Sequence, residues 1–132
     1  MKSPIETIRL SQRAKDNLAK LVRYTGIRHR NVLCRWGFCA SLAEPTIPPP
    51  ATIPADSNLE ISWHVFGGQY EDIYFALLKL RCRKDGLPLT DESLATQFRL
   101  HLHRGIAYLA AGKPLRTIDD LISLGLDAAA ER

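Results

Sequence analysis

The feature that most limits how this chain folds is a proline-rich stretch near its middle. Residues 45–54, PTIPPPATIP, contain five prolines. Proline lacks a backbone N–H and fixes φ, so neither a helix nor an inner strand can run through such a stretch. We therefore expect a semi-rigid, extended connector over residues 45–58, between a first part (residues 1–44), a second part (residues 59–124) and a tail (residues 125–132).

The part before the connector has the pattern of one strand followed by two helices. Residues 6–11, ETIRLS, alternate polar and apolar side chains, which is the two-residue period of a strand. Ser11 is the expected N-cap of a first helix that ends at Gly26, and Asn31 is the expected cap of a second, largely buried helix. Gly37 inside that second helix indicates close approach of another backbone, at a tight helix crossing or at a subunit interface.

The part after the connector repeats this order. LEISWHVFGG predicts a second strand that ends at a two-glycine turn, and YEDIYFALLKLRCRKDG predicts a helix that ends at Gly86. Thr90 is the expected cap of a long helix from about Asp91 to Ala111, and a short helix is expected over residues 117–126. Cations cluster in the last turns of the helix that ends at Gly86, where they suit the helix dipole or form a secondary DNA or subunit contact: Lys79, Arg81, Arg83 and Lys84.

Positive charge is concentrated before the connector. Residues 1–44 carry nine Lys or Arg against three Asp or Glu, whereas residues 45–132 carry nine against eleven. This asymmetry indicates an anionic partner at the N-terminal part, and nucleic acid is the commonest such partner. The predicted DNA-binding residues lie on one face of the first helix and on the turn that follows it: Arg13, Lys20, Arg23, Arg28 and Arg30.

The turn GIRHRN has two possible interpretations. It is a phosphate clamp, in which Arg28 and Arg30 act together with free backbone N–H groups at a helix start, or it is only a solvated junction between two helices. The strand-helix-helix order of residues 6–43 resembles a ribbon-helix-helix module, in which a short strand pairs with a symmetry-related one and the second helix aims its N-terminus at phosphate. The polar face of that ribbon would be formed by Thr7, Arg9 and Ser11.

The predicted fold class is therefore mainly α with two short strands. A ribbon-helix-helix-like N-terminal unit is followed by a strand-helix-helix C-terminal part. With 132 residues, of which 45% are hydrophobic, the chain has the length of one ordinary domain, and we expect a single DNA-binding domain over residues 1–132.

No catalytic or metal-binding pattern stands out. The chain has three cysteines: Cys34, Cys39 and Cys82. They form no C-x-x-C pair, and we expect reduced thiols without a metal. A thiol enzyme using Cys34 or Cys39 is the weakest hypothesis, because an apolar helix raises the pKa of a thiol.

His101 and His103 lie two residues apart on a helix, so they cannot converge on one ligand, and we expect one buried and one exposed ring. Arg104 is expected to fix a helix end or a partner contact.

Several stretches together resemble DndE, the small subunit of the bacterial DNA sulfur-modification machinery. They are IRLSQRAKDNLAKLVRYTGIRHRNVLCRWGFCASL, the proline-rich break, ISWHVFGG and FRLHLHRGIAYLA, and the resemblance covers residues 3–124. It implies a cytoplasmic protein that works with a cysteine desulfurase, an iron-sulfur enzyme and an ATPase-like partner to replace a non-bridging phosphate oxygen by sulfur. It also implies a self-associating binder of double-stranded DNA, a tetramer being favoured, with no cofactor and no catalysis of its own.

We therefore expect a non-catalytic subunit that binds the DNA backbone within a phosphorothioation complex and presents or stabilises DNA for sulfur incorporation, at a nicked or distorted duplex. Two alternatives stay open, a protein-binding scaffold for the sulfur-transfer enzymes and a ribbon-helix-helix transcriptional regulator. The chain has no run of 18 apolar residues and no secretory signal, so we expect a cytoplasmic protein without a membrane span.

Overall fold

The structure, a computed structural model, describes residues 3–111 and confirms a mainly α fold with two short strands. The elements follow one another in this order: β1 (Thr7–Arg9), α1 (Gln12–Thr25), α2 (Arg30–Ala43), β2 (Glu60–Ser62), α3 (Trp63–Gly67), a 3₁₀ turn (Gly68–Tyr70), α4 (Glu71–Lys84) and α5 (Asp91–Ala111). The helix predicted over residues 117–126 and the tail over residues 125–132 lie outside the described residues. Within residues 3–111, no helix is both long enough and apolar enough to cross a membrane.

The two strands pair with each other in one antiparallel sheet. Thr7 lies opposite Ser62, and Arg9 lies opposite Glu60. The partner of β1 therefore belongs to the same chain, so the likeness to a ribbon-helix-helix protein extends to the order of elements and not to strand pairing between copies. Ser11 was expected on the polar ribbon face, but it is buried, and its Oγ accepts a hydrogen bond from the Ala14 N–H at 3.1 Å. It caps α1, as the sequence also predicts.

The ends of the helices follow local signals except at the start of α2. Gly26 ends α1 with φ 75°, and its N–H donates to the Val22 carbonyl, which is the left-handed helix end that glycine favours. Asn31 was expected to cap α2, and this prediction is wrong. The helix begins at Arg30, two residues before the expected start at Val32, so His29 takes the cap position, and the Asn31 Nδ2 donates to the Val65 carbonyl of α3 at 3.3 Å. The Asn31 side chain thus donates to a distant carbonyl and does not accept from a backbone N–H of its own helix start.

The second predicted strand is much shorter than expected. Only Glu60–Ser62 is extended, and residues 63–67 form α3 because the Ser62 Oγ accepts from the Val65 N–H at 3.1 Å. Trp63 and Phe66 are both buried, with ring centroids 5.5 Å apart. Residues three apart lie on opposite faces of a strand but on one face of a helix. Burial of both rings in one core therefore favours the helix.

The core is organised around the crossing of α2 and α5. The Phe38 ring of α2 packs edge-on against Phe98 of α5, with ring centroids 5.3 Å apart. At the crossing point, a Cβ added to Gly37 would lie 3.0 Å from the Ile106 backbone nitrogen, and a Cβ added to Gly105 would overlap the Gly37 carbonyl. Gly37 thus allows close approach within one chain, which confirms the interpretation of a tight helix crossing.

The proline-rich connector is held against the helices by arginines. Proline offers no N–H, so the carbonyls of such a segment need donors from elsewhere. Arg81 donates to the Glu44 carbonyl at 2.6 Å and to the Thr46 carbonyl at 2.7 Å. Arg104 donates to the Ser41 carbonyl at 2.7 Å and to the Thr46 carbonyl at 2.8 Å, and so fixes the end of α2 as one of its two predicted roles requires. Arg99 donates to the Ile53 carbonyl at 3.0 Å.

Arg81 has a larger role than the helix-dipole interpretation assigned to it. Its side chain is buried, and its Nε lies 2.8 Å from a carboxylate oxygen of Asp85, which is also buried. Its other two nitrogens donate to backbone carbonyls at the end of α2 and at the start of the connector. The sequence shows only that a cation lies near the end of α4, whereas its acceptors come from residues about 35 positions earlier in the chain.

Candidate nucleic-acid interface

A groove of about 740 Å³ lies where α1 and the start of α2 meet β2 and α3. Its lining includes a set of basic side chains from α1 and from the turn between α1 and α2: Arg23, Arg28, His29 and Arg30. Two acidic side chains, Asp16 and Glu60, and several apolar ones complete the lining. The groove therefore combines a concentrated positive charge with apolar surface.

The packing of α1 explains how Arg23 reaches this groove. Leu18, Leu21 and Thr25 are buried at helical spacing, so the opposite side of the helix faces away from the core. Arg23 is exposed. The left-handed Gly26 then turns the chain back, and Thr25 supports the turn, because its Oγ1 donates to the Leu21 carbonyl at 2.8 Å and accepts from the Ile27 N–H at 3.2 Å.

The start of α2 adds to the positive potential of the groove. His29 precedes the helix, and no side chain caps it. The first backbone N–H groups of a helix have no intrahelical acceptor and carry the positive end of the helix dipole. Arg28 and Arg30 flank this helix start, and both side chains are exposed. The groove therefore offers guanidinium and backbone donors side by side, an arrangement that suits a phosphate or another anion.

The arginines of the described residues divide into two groups by their hydrogen bonds. One group donates to backbone carbonyls of the same chain: Arg9, Arg35, Arg81, Arg99 and Arg104. The other group makes no hydrogen bond or ion pair within residues 3–111: Arg13, Arg23, Arg28, Arg30 and Arg83. Four of the five members of the second group lie in α1, in the turn after it and at the first residue of α2. Their donors are available to an external anion.

The structure brings three of the five predicted DNA-binding residues to one groove. Arg23, Arg28 and Arg30 line it, whereas Arg13 and Lys20 do not. Arg13 is exposed near the start of α1, and the Lys20 ammonium lies 5.9 Å from the centroid of the Tyr24 ring, a cation–π contact. DNA binding by these five residues stays a prediction at this point.

Sequence reasoning missed several groove residues. The sequence shows that His29 lies between two arginines, Arg28 and Arg30. It does not show that His29 is the residue directly before α2. Glu60 and Val65 reach the groove only because β2 and α3 fold back beside the helices. No local signal in the sequence connects residues 60–65 with the turn after α1.

The cysteines are poorly suited to nucleophilic chemistry. Burial raises the pKa of the Cys34 thiol to about 12 and also raises the pKa of the Cys82 thiol. Partial desolvation by surrounding protein atoms raises the pKa of the Cys39 thiol as well, although Cys39 is solvent-exposed. A raised thiol pKa disfavours the reactive thiolate, as the sequence predicts for Cys34 and Cys39. Within residues 3–111, no three His, Cys, Asp or Glu side chains lie together in a way that could hold a metal ion.

His101 and His103 have separate structural surroundings. The His101 ring is fully buried, with Nδ1 2.8 Å from the Ser41 Oγ, and burial, with a contribution from the Arg104 charge, lowers its pKa to about 4. His103 accepts from the Ser11 N–H at Nε2 and donates from Nδ1 to the Arg99 carbonyl. The two rings do not converge, as predicted. The expectation that one ring is exposed is wrong, because His103 is half-buried beside the start of α1.

Comparison with known families identifies the chain. The family described as DNA sulphur modification protein DndE matches residues 7–117. The chain belongs to the DndE family. This confirms the resemblance found in the sequence and places the chain in DNA phosphorothioation modification.

Solved structures that are similar to this one include two of DndE. The crystal structure of DndE from Escherichia coli B7A, involved in DNA phosphorothioation modification, is 25% identical, with a TM-score of 0.66 and coverage of 83% of this chain and 99% of that chain. The crystal structure of a DndE mutant with glycine-to-lysine substitutions, involved in DNA phosphorothioation, is 22% identical, with a TM-score of 0.58 and coverage of 79% of this chain and 95% of that chain. The second likeness shows the fold alone. A search of curated proteins found no match.

Proposed function

We propose that this member of the DndE family binds the DNA backbone within the sulfur-modification machinery, and that Arg23, Arg28 and Arg30 hold phosphates at the groove. One observation carries the proposal. Three arginines that have no hydrogen-bond partner within residues 3–111 line the same groove as the uncapped start of α2. An arrangement of free donors around a helix start favours a phosphate over a solvated junction.

The chemistry of the groove fits a phosphodiester better than a base edge. A guanidinium group offers a planar fork of donors that matches two phosphate oxygens, and helix-start N–H groups add further donors. Contacts of this kind fix the register of a duplex and carry no direct sequence information. Sulfur modification acts on the backbone itself, so a subunit that holds phosphates would present or stabilise the reacting region, including a nicked or distorted duplex.

Arg13 and Lys20 extend the proposed contact along α1. They lie on the same helix as Arg23 but outside the groove lining, so a duplex that covers both regions would follow the polar face of α1. We further propose a cytoplasmic homo-oligomer, a tetramer being favoured, that works with the other subunits of the modification complex. We also propose that this subunit performs no catalysis of its own and needs no cofactor; the raised pKa of the Cys34 thiol argues only against a reactive thiolate at that position.

A second candidate function is a scaffold that binds the sulfur-transfer enzymes. The apolar side chains Val22, Leu59 and Val65 in the groove lining favour it, because a protein segment would cover them and a phosphate backbone would not. A ribbon-helix-helix transcriptional regulator has less support. The polar face of β1 would have to read bases, but Arg9 is engaged by Glu60 and by the Ser57 carbonyl.

The test is a salt titration of DNA binding. For Arg23→Ala, Arg28→Ala and Arg30→Ala, we expect weaker binding to every DNA sequence and a salt slope smaller in magnitude by about 1 for each variant. Arg28→Lys is the matched control, because it keeps the charge and should keep the slope while losing only the forked geometry. Circular dichroism would check the native helicity of each variant, and intact, nicked and single-stranded DNA would be compared in gel shifts.

The results separate the proposals. Well-folded alanine variants with unchanged affinity and salt slope would show that these cations are merely solvated. Variants that keep DNA affinity but lose binding to the sulfur-transfer subunits would support the scaffold. Arg13→Ala and Lys20→Ala then measure how far the contact extends: a slope change at either position would mean that the bound duplex continues along α1.

A further inference from the structure

The groove that holds the free arginines also has an apolar wall. This wall is formed by side chains from α1, from β2 and the residue before it, and from α3: Val22, Leu59, Ile61 and Val65. Val65 is 55% exposed, and its carbonyl accepts a hydrogen bond from the Asn31 Nδ2 at 3.3 Å. That hydrogen bond joins α3 to the start of α2, where Arg28 and Arg30 lie. An exposed apolar side chain and free cations therefore share one groove.

An ordinary phosphodiester would use only the cationic half of this groove. Each of its two non-bridging oxygens needs a hydrogen-bond donor or water. An oxygen pressed against valine and leucine side chains would lose water and gain no hydrogen bond, which costs free energy. The arginines thus match the charge of a phosphate, but a phosphate gives no use to the apolar wall.

A phosphorothioate matches both halves. Replacement of one non-bridging oxygen by sulfur keeps the negative charge and leaves one oxygen as a strong acceptor. Sulfur is larger and more polarisable than oxygen, accepts hydrogen bonds weakly and packs well against apolar side chains. The remaining oxygen would accept from the guanidinium groups of Arg28 and Arg30, and the sulfur would lie against Val65.

We infer that this groove binds a phosphorothioate linkage, the product of the modification in which the family takes part, more tightly than the unmodified phosphodiester. The inference rests on the proposed function, because it takes the groove arginines as the phosphate-binding residues. It adds a role for the apolar wall, which contacts the sulfur. A subunit with this preference would stay at the modified linkage after sulfur incorporation.

Two carboxylates in the groove lining do not alter the preference. Glu60 accepts from Arg9, and the Asp16 Oδ1 accepts from the Gln12 Nε2 at 2.9 Å. Both linkages carry the same single negative charge at neutral pH, so the carboxylates weaken the binding of both to the same extent. The difference between the two linkages therefore depends on the apolar wall.

The stereochemistry of the linkage supplies an internal control. Sulfur makes the phosphorus atom a stereocentre, so each linkage has two diastereomers of equal composition and charge that differ in the direction of the sulfur. With the apolar wall on one side of the groove, only one diastereomer can direct its sulfur to the wall and its oxygen to the arginines. A general attraction of proteins to sulfur-containing DNA would instead favour both diastereomers equally.

The experiment measures the affinity of the full chain for three short duplexes of one sequence by fluorescence anisotropy. Every linkage of one strand is unmodified in the first duplex, and is one or the other stereopure phosphorothioate in the second and third. We expect one diastereomer to bind about threefold or more tightly than the unmodified duplex, because burial of the sulfur removes apolar surface from water. The other diastereomer should bind no more tightly than the unmodified duplex.

A substitution in the apolar wall tests the assignment of the sulfur contact. Val65→Thr replaces a methyl group by a hydroxyl at nearly the same volume, and should bring the ratio of the two diastereomer affinities close to one. Ile73→Thr is the matched control, because Ile73 is also 55% exposed and helical but does not line the groove. It should keep the ratio of the native protein. Circular dichroism checks that both variants are folded.

Several results would overturn the inference. Equal affinities of the native protein for the two diastereomers would do so, as would a folded Val65→Thr protein that keeps the ratio or an Ile73→Thr protein that loses it. If Val65→Thr left the ratio unchanged and weakened binding to the sulfur-transfer subunits, the apolar wall would belong to the scaffold function. The DNA proposal fails by a different measurement, an Arg28→Ala protein with unchanged affinity and salt slope on the unmodified duplex.

Discussion

Replacement of Gly105 by alanine tests the helix crossing on which the core depends. A Cβ at this position would overlap the Gly37 carbonyl and would lie 2.9 Å from the Gly37 Cα. The obstacle is helix backbone, which cannot move aside as the end of a flexible side chain can. Helices α2 and α5 would therefore have to separate, and the native arrangement at the crossing would be lost.

The expected loss of stability follows from two opposing effects. Overfilling a packed core costs typically about 1–3 kcal/mol, and separation of two helices adds the loss of contacts along their whole seam. That seam includes side chains that are fully buried: Leu33, Phe38, Leu102 and Ile106. Alanine recovers about 1 kcal/mol because it favours the helix more than glycine does. We expect a net loss of about 3 kcal/mol or more, and a melting temperature lower by about 10 °C or more.

Gly37→Ala is the matched control at the same crossing. Its Cβ would lie 3.0 Å from the Ile106 nitrogen and 3.1 Å from the Gly105 carbonyl carbon, so a small shift accommodates it. The helix-propensity gain of about 1 kcal/mol offsets much of the strain, and we expect a melting temperature within about 5 °C of the unmodified protein. Thermal unfolding followed by circular dichroism measures both variants. A Gly105→Ala protein that is as stable as the Gly37→Ala protein would refute the reasoning.

Two further predictions concern buried groups. Arg81→Met should lower the free energy of unfolding by about 3–5 kcal/mol, because it leaves the buried Asp85 carboxylate unpaired; an unchanged midpoint in chemical denaturation would contradict this. The folded-state pKa of His101 is lowered from 6.5 to about 4, so its contribution to stability is complete above pH 6.5 and is lost as the pH falls through 4. The loss amounts to about 3 kcal/mol, and His101→Gln should flatten that part of the stability profile relative to the unmodified protein. Parallel profiles for the two proteins would show that His101 does not contribute.

Helix ends were predictable from sequence wherever the signal was local. Ser11 and Thr90 cap α1 and α5 through hydrogen bonds to backbone groups three residues ahead, and Gly26 and Gly86 adopt the positive φ that their positions require. Each of these depends on a few neighbouring residues. The cap expected at Asn31 failed because its amide reaches Val65, which is 34 positions away. A side chain that can pair either with a local N–H or with a distant carbonyl cannot be assigned from the local pattern.

Gly37 is a second case in which a local pattern does not identify the distant partner. A glycine in an apolar helix indicated a close backbone, but the sequence did not identify the backbone as Gly105 in α5. In the segment HLHRG, the glycine is one small residue within a long predicted helix, and no local pattern marks it as a crossing point. Recognition of the pair requires knowledge of where α2 and α5 cross, and that is set by the whole core.

The hydrogen bonds of the arginines separate cations that are free from cations that are engaged, which charge alone does not show. Arg81, Arg99 and Arg104 carry the same charge as Arg23, Arg28 and Arg30, but their donors are used by carbonyls at the end of α2 and in the connector. A phosphate needs free donors as well as charge. If DNA bound to Arg81, Arg99 and Arg104, these arginines would have to release the connector. Binding to Arg23, Arg28 and Arg30 would break no hydrogen bond between those arginines and residues 3–111. The proline-rich connector thus occupies three arginines, and the cations around Gly26 are among those that could hold a phosphate without loss of a hydrogen bond to residues 3–111.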